Sequence, residues 1–516
     1  MAEENGLGNS SLSALQEPLL VNSHEIQLDS RQALPEDEAI RDTLPEREAQ
    51  LYDGLPFERS ILIKSLFFLD ALGSSTWGRF SAIYYNCHSL NSQHIGLIEG
   101  LRTAVPTISM VVWGVVADSF HCRKFVWIMT KLASTCILLL LAIPYVYRSF
   151  VRILVVSVSA QLFVSSGILD AFTLEQLGAE KKMYYGRYRL YASLSWGVGS
   201  IVMGWVTDHY GFDWNFIMFG LLSAVMIVTV TTKIPDITSS ESSTESENNR
   251  VEERQQSGKL LDLVCLFLRP RVTVFLIEVL VMGAGMATVE RLLFLYMVND
   301  LESSTLLCGL SVGVNVMFEL PIFWYASPIM KALGHDGMFL LSMACFVFRV
   351  YGYTWLSPST KWWILALESM HGVTFATFWI VTTDVSKVLV DIEGAHWSTA
   401  IPMSVQMLYS AVGVSVGSIL GGWAMHRFGS REMYTFTAGI VFCMMVVHLV
   451  GSIFVRTCCK KLGSLLPDFP HTTNSNRGGN DHVQDSGTSN EEDGESEQVP
   501  LTSTDIIQIG SLLSND

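Results

Sequence analysis

Charged residues are scarce in this sequence of 516 residues. They make up 16% of the chain, whereas soluble domains carry about 25%, and hydrophobic residues make up 49%. The nine cysteines form no CxxC pair, so neither a disulfide framework nor a zinc site is indicated. A GxxxxGK[ST] phosphate loop, metal-ligand spacing and a nucleophile–base motif are also missing. The sequence therefore gives no reason to expect ATP hydrolysis, an enzyme, a metal or another cofactor.

We expect no signal peptide, because residues 1–59 are polar and acidic. That segment holds thirteen acidic and four basic residues, and 462–516 holds ten and one. The connector 234–259 is rich in serine and glutamate, a composition typical of disorder. The two tails and the linker together carry −21 and the rest of the chain carries +5, so the acidity behind the net charge of −16 lies in these three segments. We expect all three to be cytoplasmic and disordered, and we expect no nucleic-acid partner.

Long hydrophobic runs are what the sequence has in abundance. Twelve of them approach the length of about 20 residues that crosses a bilayer, which predicts an all-α membrane protein. They lie near 61–85, 93–117, 125–146, 153–177, 187–207, 215–232, 272–297, 305–330, 338–356, 362–383, 399–424 and 433–455. The predicted domains are an acidic tail (1–59), a six-helix half (60–233), a linker (234–268), a second six-helix half (269–457) and an acidic tail (458–516).

Lysine and arginine are unevenly distributed between the two sides. The short loops on the side of the termini carry eleven, and those on the other side carry five. This bias predicts cytoplasmic termini. The plasma membrane is the expected location, and an endomembrane is the alternative. Cys458 and Cys459, beside two lysines, could be palmitoylated or unmodified, and the sequence leaves both open.

The two halves repeat one another. The segment VGSIxxGW begins at Val198 and again at Val416, and Gly211 recurs as Gly429 at the same offset of 218. Parallel six-helix repeats are the architecture of major facilitator transporters, whose substrate site lies between the halves near the midplane. Small residues in these segments, such as Gly204 and Gly422, are expected to let helices approach closely.

Ionisable residues inside apolar spans are costly, so each is a functional candidate. Glu99 and Arg102, three residues apart, are expected to neutralise each other. Lys131 could extend its ammonium toward the interface. Glu290 and Arg291 are expected near the outer boundary. The full set of candidates is Asp70, Glu99, Arg102, Lys131, Asp170, Arg189, Glu278, Glu290, Arg291, Glu319, Arg349, Glu368 and His371.

The loop after the second span reads GVVADSFHCRK from Gly114. It resembles the signature of the major facilitator superfamily between helices two and three. The resemblance implies a conformational latch in which Gly114 permits close helix contact. Asp118 would either accept hydrogen bonds from a neighbouring helix terminus or pair with a base such as Arg123. An ordinary cytoplasmic loop is the alternative interpretation. Cys122 stands where the family has a glycine, and Lys331 replaces the acid in the second half.

The segment YGRYRLYASLSW at 185–196 is similar to the Phe-Gly-Arg-x-Arg segment of the lactose permease group of oligosaccharide–proton symporters. Asp170 stands where that group has a glutamate. The resemblance implies that Asp170 and Arg189 hold sugar hydroxyls and that Trp196 stacks on the sugar face. Asp170 and Arg189 could equally be a buried interhelical pair.

The second half continues the resemblance with Glu319, Arg349 and His371. In the lactose permease group, a glutamate three residues after the histidine takes part in proton coupling, and here that place holds Thr374. Glu368, one turn before His371, could substitute. We therefore expect Glu319, Arg349, Glu368 and His371 to converge, with Glu368 or Glu319 carrying the proton.

Together these features predict a monomeric major facilitator protein in the lipid bilayer. We expect it to move a small polar solute, a sugar, by alternating access in symport with protons. A nucleoside or another hydroxylated metabolite, carried with or without coupling, is the alternative solute. A non-transporting receptor or sensor that keeps the fold is the rival class.

Overall fold

The computed structural model describes residues 51–165, 167–178, 181, 184–234, 259–394 and 397–458. Most of the predicted tails and linker lies outside these residues. Two short strands, Leu51–Tyr52 and Leu55–Pro56, precede the first span, and a helix, Lys259–Phe267, precedes the seventh. The assignment of 51–59 and 259–267 to disordered segments is therefore wrong.

The order of residues 51–59 has a local cause. Asp53, between the strands, accepts hydrogen bonds from Lys64 of the first span and from Arg187 of the fifth, the latter at 2.7 Å. The carboxylate lies at the end of the bundle that the charge bias predicts to be cytoplasmic. It therefore connects the segment that precedes the first span to both the first and the fifth spans.

Six spans form the first half. In chain order they are Phe57–Trp77 with its continuation Ser81–Cys87, Ser92–Ser119, Arg123–Leu139 with the 3₁₀ turn Leu140–Ala142 and the helix Pro144–Tyr147, Phe150–Gln161 with Gly167–Leu177, Tyr185–Tyr210, and Asp213–Lys233. The side chain of Asn91 caps the second of them by accepting from the backbone N–H of His94 at 2.8 Å.

Six further spans form the second half. In chain order they are Pro270–Asn299, Thr305–Trp324, Ala326–Tyr353, the 3₁₀ turn Pro358–Trp363 with Ile364–Glu393, Ala400–Met407 with the π-helical Leu408–Val414 and Ser415–Phe428, and Ser430–Cys458. Gly211 and Gly429, at φ 83° and 100°, end the fifth and eleventh spans in the same way.

Nine helices of the described residues are long and apolar enough to cross a membrane. The first, fourth and fifth predicted spans fall short of that criterion for physical reasons. The first carries Lys64 and Asp70, the fifth carries Arg187 and Arg189, and the fourth is broken between Gln161 and Gly167. Polar residues and a broken helix at membrane depth are tolerated where they face protein or a water-filled cavity.

The packing repeats between the halves. The first span packs against the fifth and sixth, as the seventh packs against the eleventh and twelfth. The second packs against the fourth as the eighth does against the tenth, and the third contacts the fourth and sixth as the ninth contacts the tenth and twelfth. The halves meet where the second span crosses the eleventh and the fifth crosses the eighth.

Glycines permit both crossings between halves. A Cβ on Gly309 would lie 2.2 Å from the carbonyl oxygen of Ser200, and one on Gly422 would lie 2.5 Å from that of Ser92. Gly204 is as close to the backbone of Thr305, at 2.5 Å. The expectation that Gly204 and Gly422 let helices approach closely is confirmed, and Gly309 has the same role, since only a residue without a side chain fits.

Candidate translocation site

The two halves touch at the predicted outer end of the bundle. The carboxylate of Asp208, near the end of the fifth span, accepts from the backbone N–H groups of Thr305 and Leu306, both at 2.8 Å. The side-chain amide of Asn86 donates to Asn299 at 2.8 Å. Together with the glycine crossings, these contacts close that end.

The halves are apart at the predicted cytoplasmic end. A cavity of about 640 Å³ lies there between the second and fourth spans on one side and the tenth and eleventh on the other. We call it the cytoplasmic cavity; its lining includes Met110, Gly114, Asp118, Trp379, Lys387 and Met403. The two halves are therefore in contact at one end of the bundle and separated by a cavity at the other.

The predicted latch residues lie at the rim of the cytoplasmic cavity. Arg123 donates from Nε to Asp118 Oδ1 at 2.8 Å and from Nη1 to Glu175 Oε2 at 3.1 Å, which joins the second, third and fourth spans. A Cβ on Gly114 would meet no heavy atom of the described residues within 4 Å. The expected close contact at Gly114 is therefore absent from this conformation, because the halves are apart at this end.

The two residues of the predicted sugar-binding pair, Asp170 and Arg189, form an ion pair with each other. Arg189 Nη1 lies 2.8 Å from Asp170 Oδ1, and the Tyr185 hydroxyl donates to the same oxygen at 2.6 Å. Arg189 also donates to the Tyr185 hydroxyl at 3.0 Å, and its side chain is 1% exposed. Neither Asp170 nor Arg189 lines the cytoplasmic cavity. The geometry favours the second of the two alternatives, a buried interhelical pair.

Trp196 occupies a different environment. It lines a cavity of about 80 Å³ between the halves, which we call the interface cavity; Arg79, Glu290, Arg291, Glu319 and His371 also line it. The indole packs on the break in the first span, where a Cβ on Gly78 would lie 2.5 Å from its ring. Asp170 and Arg189 are outside this lining as well.

The four residues expected to converge form two clusters instead of one. Glu319 and His371 line the interface cavity, whereas Arg349 and Glu368 are fully buried behind it, 3.5 Å apart. The Tyr353 hydroxyl donates to Glu368. Glu368 and His371 are three residues apart on one helix, hence rotated by about 60° from each other. That rotation turns Glu368 toward the ninth span and His371 toward the cavity.

Glu290 does not lie where the sequence-based prediction placed it. Its carboxylate lies 3.6 Å from His371 Nε2 and 4.0 Å from Arg79 Nη2, so it connects both halves at the interface cavity. Arg291 lines the same cavity, and its Nη1 lies 3.8 Å from Glu99 Oε2. Both belong to the cavity lining instead of the outer boundary. A charged pair interrupting the apolar run 272–297 was the available signal.

Glu99 and Arg102 behave as expected. Arg102 Nη1 donates to Glu99 Oε1 at 2.6 Å. The Ser81 hydroxyl accepts a hydrogen bond from Arg102 and donates one to Glu99. Through Arg291, the buried Glu99 also belongs to the contact between halves. Among the described residues, no group of three or more His, Cys, Asp or Glu side chains is placed to hold a metal ion.

Comparisons with known proteins agree with this architecture. The MFS_1 like family matches residues 62–436. The major facilitator superfamily domain-containing protein 6-like protein B of Xenopus laevis is 22% identical over 182 residues, 35% of this chain and 28% of that protein. The maltose permease of Geobacillus stearothermophilus is 30% identical over 152 residues, 28% of this chain and 37% of that protein. The chain thus spans only about a third of the length of these relatives.

Solved structures give the fold. The nucleoside transporter NupG aligns with 76% of this chain and 98% of its own at a TM-score of 0.61 and 17% identity. A POT family transporter in complex with 5-aminolevulinic acid aligns with 79% and 98% at a TM-score of 0.56 and 12% identity. The predicted all-α membrane protein with a major facilitator fold is confirmed.

Proposed function

Because this chain belongs to the MFS_1 like family and has the same fold as membrane transporters, we propose that it moves a small, polar, sugar-like solute. Transport would occur by alternating access in symport with protons. The observation that carries this proposal is the interface cavity. It places an indole, Trp196, beside the titratable groups Glu290, Glu319 and His371 at the contact between the two halves.

Alternating access requires two ends that open in turn. The halves are in contact at the outer crossings and separated at the cytoplasmic cavity, which corresponds to the inward-facing state of an alternating-access cycle. The outward-facing half would need the Gly309 and Gly422 crossings to part and the second and eleventh spans to close around Gly114. In that state Gly114, Asp118 and Arg123 would act as the latch, with Gly114 making the close contact that the inward-facing state lacks.

Glu319 is the proposed proton carrier. A coupling acid must be reachable from the solute path, and Glu319 lines the interface cavity, whereas Glu368 is enclosed by Arg349 and Tyr353. An ion pair buried this deeply is costly to break, which suits Arg349 and Glu368 to a positioning role. His371 would link the proton site to Glu290, its carboxylate neighbour at 3.6 Å.

Trp196 is the proposed stacking surface for the solute. Indole offers a broad apolar face together with an N–H donor, which suits the alternating apolar and polar faces of a sugar ring. A nucleoside base would stack on the same surface, so nucleosides are the second candidate solute. We assign Asp170 and Arg189 to holding the fourth and fifth spans together.

The test is uptake into proteoliposomes under an imposed pH gradient, with a panel of sugars and nucleosides. Glu319→Gln should retain exchange between equal pools and lose uphill accumulation. Glu302→Gln, at an exposed carboxylate between the seventh and eighth spans, is the matched control and should accumulate normally.

Uphill accumulation by Glu319→Gln would exclude this residue as the proton carrier. Uptake by the wild type that ignores pH would indicate a facilitator. A folded protein that moves no solute of the panel would favour the receptor or sensor class. Fluorescent tagging in cells would separate the plasma membrane, the expected location, from endomembranes.

A further inference from the structure

The fourth span contains a break near the middle of its predicted length, 153–177. Its first helix ends at Gln161 and its second begins at Gly167, and the described residues 162–165 between them are not helical. Irregular backbone at this depth is tolerated where it is buried in protein or lines a water-filled cavity. Broken helices of this kind form substrate sites in many transporters.

Neighbouring side chains satisfy the carbonyl groups that the break exposes. The Gln161 carbonyl accepts from Ser109 Oγ at 2.8 Å, and the Leu162 carbonyl accepts from Trp113 Nε1 at 2.7 Å. Both donors belong to the second span. The unwound backbone is therefore held in place, and the Gln161 side chain is left to face a cavity.

That cavity, of about 130 Å³, is lined by residues of the first half and by Arg291 of the second, and we call it the inner pocket. Lys131 Nζ donates to Asp70 Oδ1 at 2.7 Å within its lining. The two side chains keep 16–19% of their surface exposed, in contrast to the 1% of Arg189. An ammonium has three donors and a carboxylate about four acceptor sites, so one mutual bond leaves both able to bind a hydroxyl.

The lining also contains Arg102, Arg291 and apolar side chains such as Phe219, and further groups in it can bind a hydroxyl or stack on a ring. The Gln161 amide both donates and accepts, and Ser74 and Ser134 add hydroxyls. The indoles of Trp77 and Trp127 supply apolar faces. A carboxylate, an ammonium, an amide and indole rings around one small cavity suit a molecule with several hydroxyl groups and an apolar face.

The inner pocket adjoins both cavities described above. Ser165 lines it together with the cytoplasmic cavity, and Arg291 lines it together with the interface cavity. A solute that enters from the cytoplasmic cavity would pass Ser165 to reach the inner pocket. From there Arg291 borders the cavity that holds Trp196 and Glu319.

We propose that Asp70, Lys131 and Gln161 form a binding subsite for the hydroxyl groups of the transported solute, a small polyhydroxylated molecule. This inference rests on the proposed transport function and names a site for its solute. The resemblance to the lactose permease group assigned this chemistry to Asp170 and Arg189, which are closed on each other. The inner pocket offers an equivalent set of groups with exposed surface.

The experiment measures binding to the purified full-length protein by isothermal titration calorimetry, with glucose, maltose, sorbitol and uridine as probes. Gln161→Ala should weaken binding of the preferred probe about tenfold, the loss expected for a hydrogen bond to a ligand. Gln176→Ala is the matched control. This glutamine lies in the second helix of the same span, outside the inner pocket, and accepts a hydrogen bond from Arg59. Its removal should leave affinity unchanged.

The exchange of Asp70→Lys with Lys131→Asp separates a ligand role from a structural one. The swapped pair should keep the melting temperature near that of the wild type, because the ion pair can re-form. Its affinity should still fall at least tenfold, since donor and acceptor have traded places. Full affinity in the swap, or in a folded Gln161→Ala, would overturn the subsite.

The same probes distinguish this subsite from the transport proposal. A wild type that transports a probe while Gln161→Ala binds it equally well refutes only the subsite. A wild type that binds none of the four probes overturns the polyhydroxylated class. A wild type that binds a probe through Gln161 without transporting it retains the subsite and refutes transport.

Discussion

The outer crossing between the fifth and eighth spans gives a direct test of the inward-facing assignment. A Cβ added at Gly309 would lie 2.2 Å from the Ser200 carbonyl oxygen and 2.9 Å from its carbonyl carbon. Ordinary van der Waals contact begins at 3.4 Å. Both neighbours are backbone atoms, so the two helices must move apart by about 1 Å to admit the methyl group of Gly309→Ala.

Overpacking of this kind costs about 1–3 kcal/mol. The cost falls on the state in which the crossing is closed and is relieved where the fifth and eighth spans separate at the outer end. The inward-to-outward population ratio should therefore fall about 5- to 150-fold, since about 1.4 kcal/mol corresponds to a factor of ten.

The assay is the distance between spin labels on Val111 and Met403, which face each other across the cytoplasmic cavity. Gly309→Ala should transfer population from the long-distance, inward-facing state to a shorter one. Gly439→Ala is the control, because a Cβ there meets no described heavy atom within 4 Å. An unchanged distance distribution in a folded Gly309→Ala protein would refute the reasoning.

Three further predictions concern the rest of the structure. Asp170→Ala and Arg189→Ala should each lower the free energy of unfolding by about 3–5 kcal/mol, because each leaves a buried charge unpaired. In denaturant titrations the double variant should lose less stability than the sum of the two single variants. Strict additivity would contradict a structural pair. Burial raises the pKa of Asp53, but Lys64 and Arg187 outweigh it and leave that pKa below its ordinary value. The ion pairs therefore stabilise the protein above about pH 4, and this stabilisation is lost as pH falls through the folded pKa. The wild type should melt at a higher temperature than Asp53→Asn near neutral pH, and this difference should shrink at acid pH. A difference in melting temperature that stays constant with pH would contradict the assignment. Epitope tags on either tail should be protected from antibody in intact cells, and outside labelling of either would overturn the predicted topology.

The spans and their repeat could be predicted because they depend on properties that each residue carries by itself. Twelve apolar segments, the offset of 218 and the glycines at Gly204 and Gly422 are visible as composition and spacing. Hydrophobic length translates into a span whatever the neighbouring helix is. A glycine stripe marks a close crossing before its partner helix is known. This reasoning missed Asp53, which precedes the first span, and Arg79, a charged residue of the predicted first span that lines the interface cavity.

The partners of the charged residues were decided by tertiary structure. Glu368 and His371 are neighbours in sequence, yet the rotation between them places one against Arg349 and the other beside Glu290. Asp70 and Lys131 come from different spans, and the pocket that they share is also lined by residues at the break in the fourth span.

Gly114 shows the remaining limit. Its motif is evident in the sequence, but whether it touches another helix depends on which end of the bundle is open. Hydropathy and spacing are local properties of the chain, whereas the pairing of buried charges depends on helix rotation and on how the two halves are arranged. The sequence alone was therefore sufficient for the fold and the repeat, and the tertiary structure was needed to decide which charges meet in the cavities.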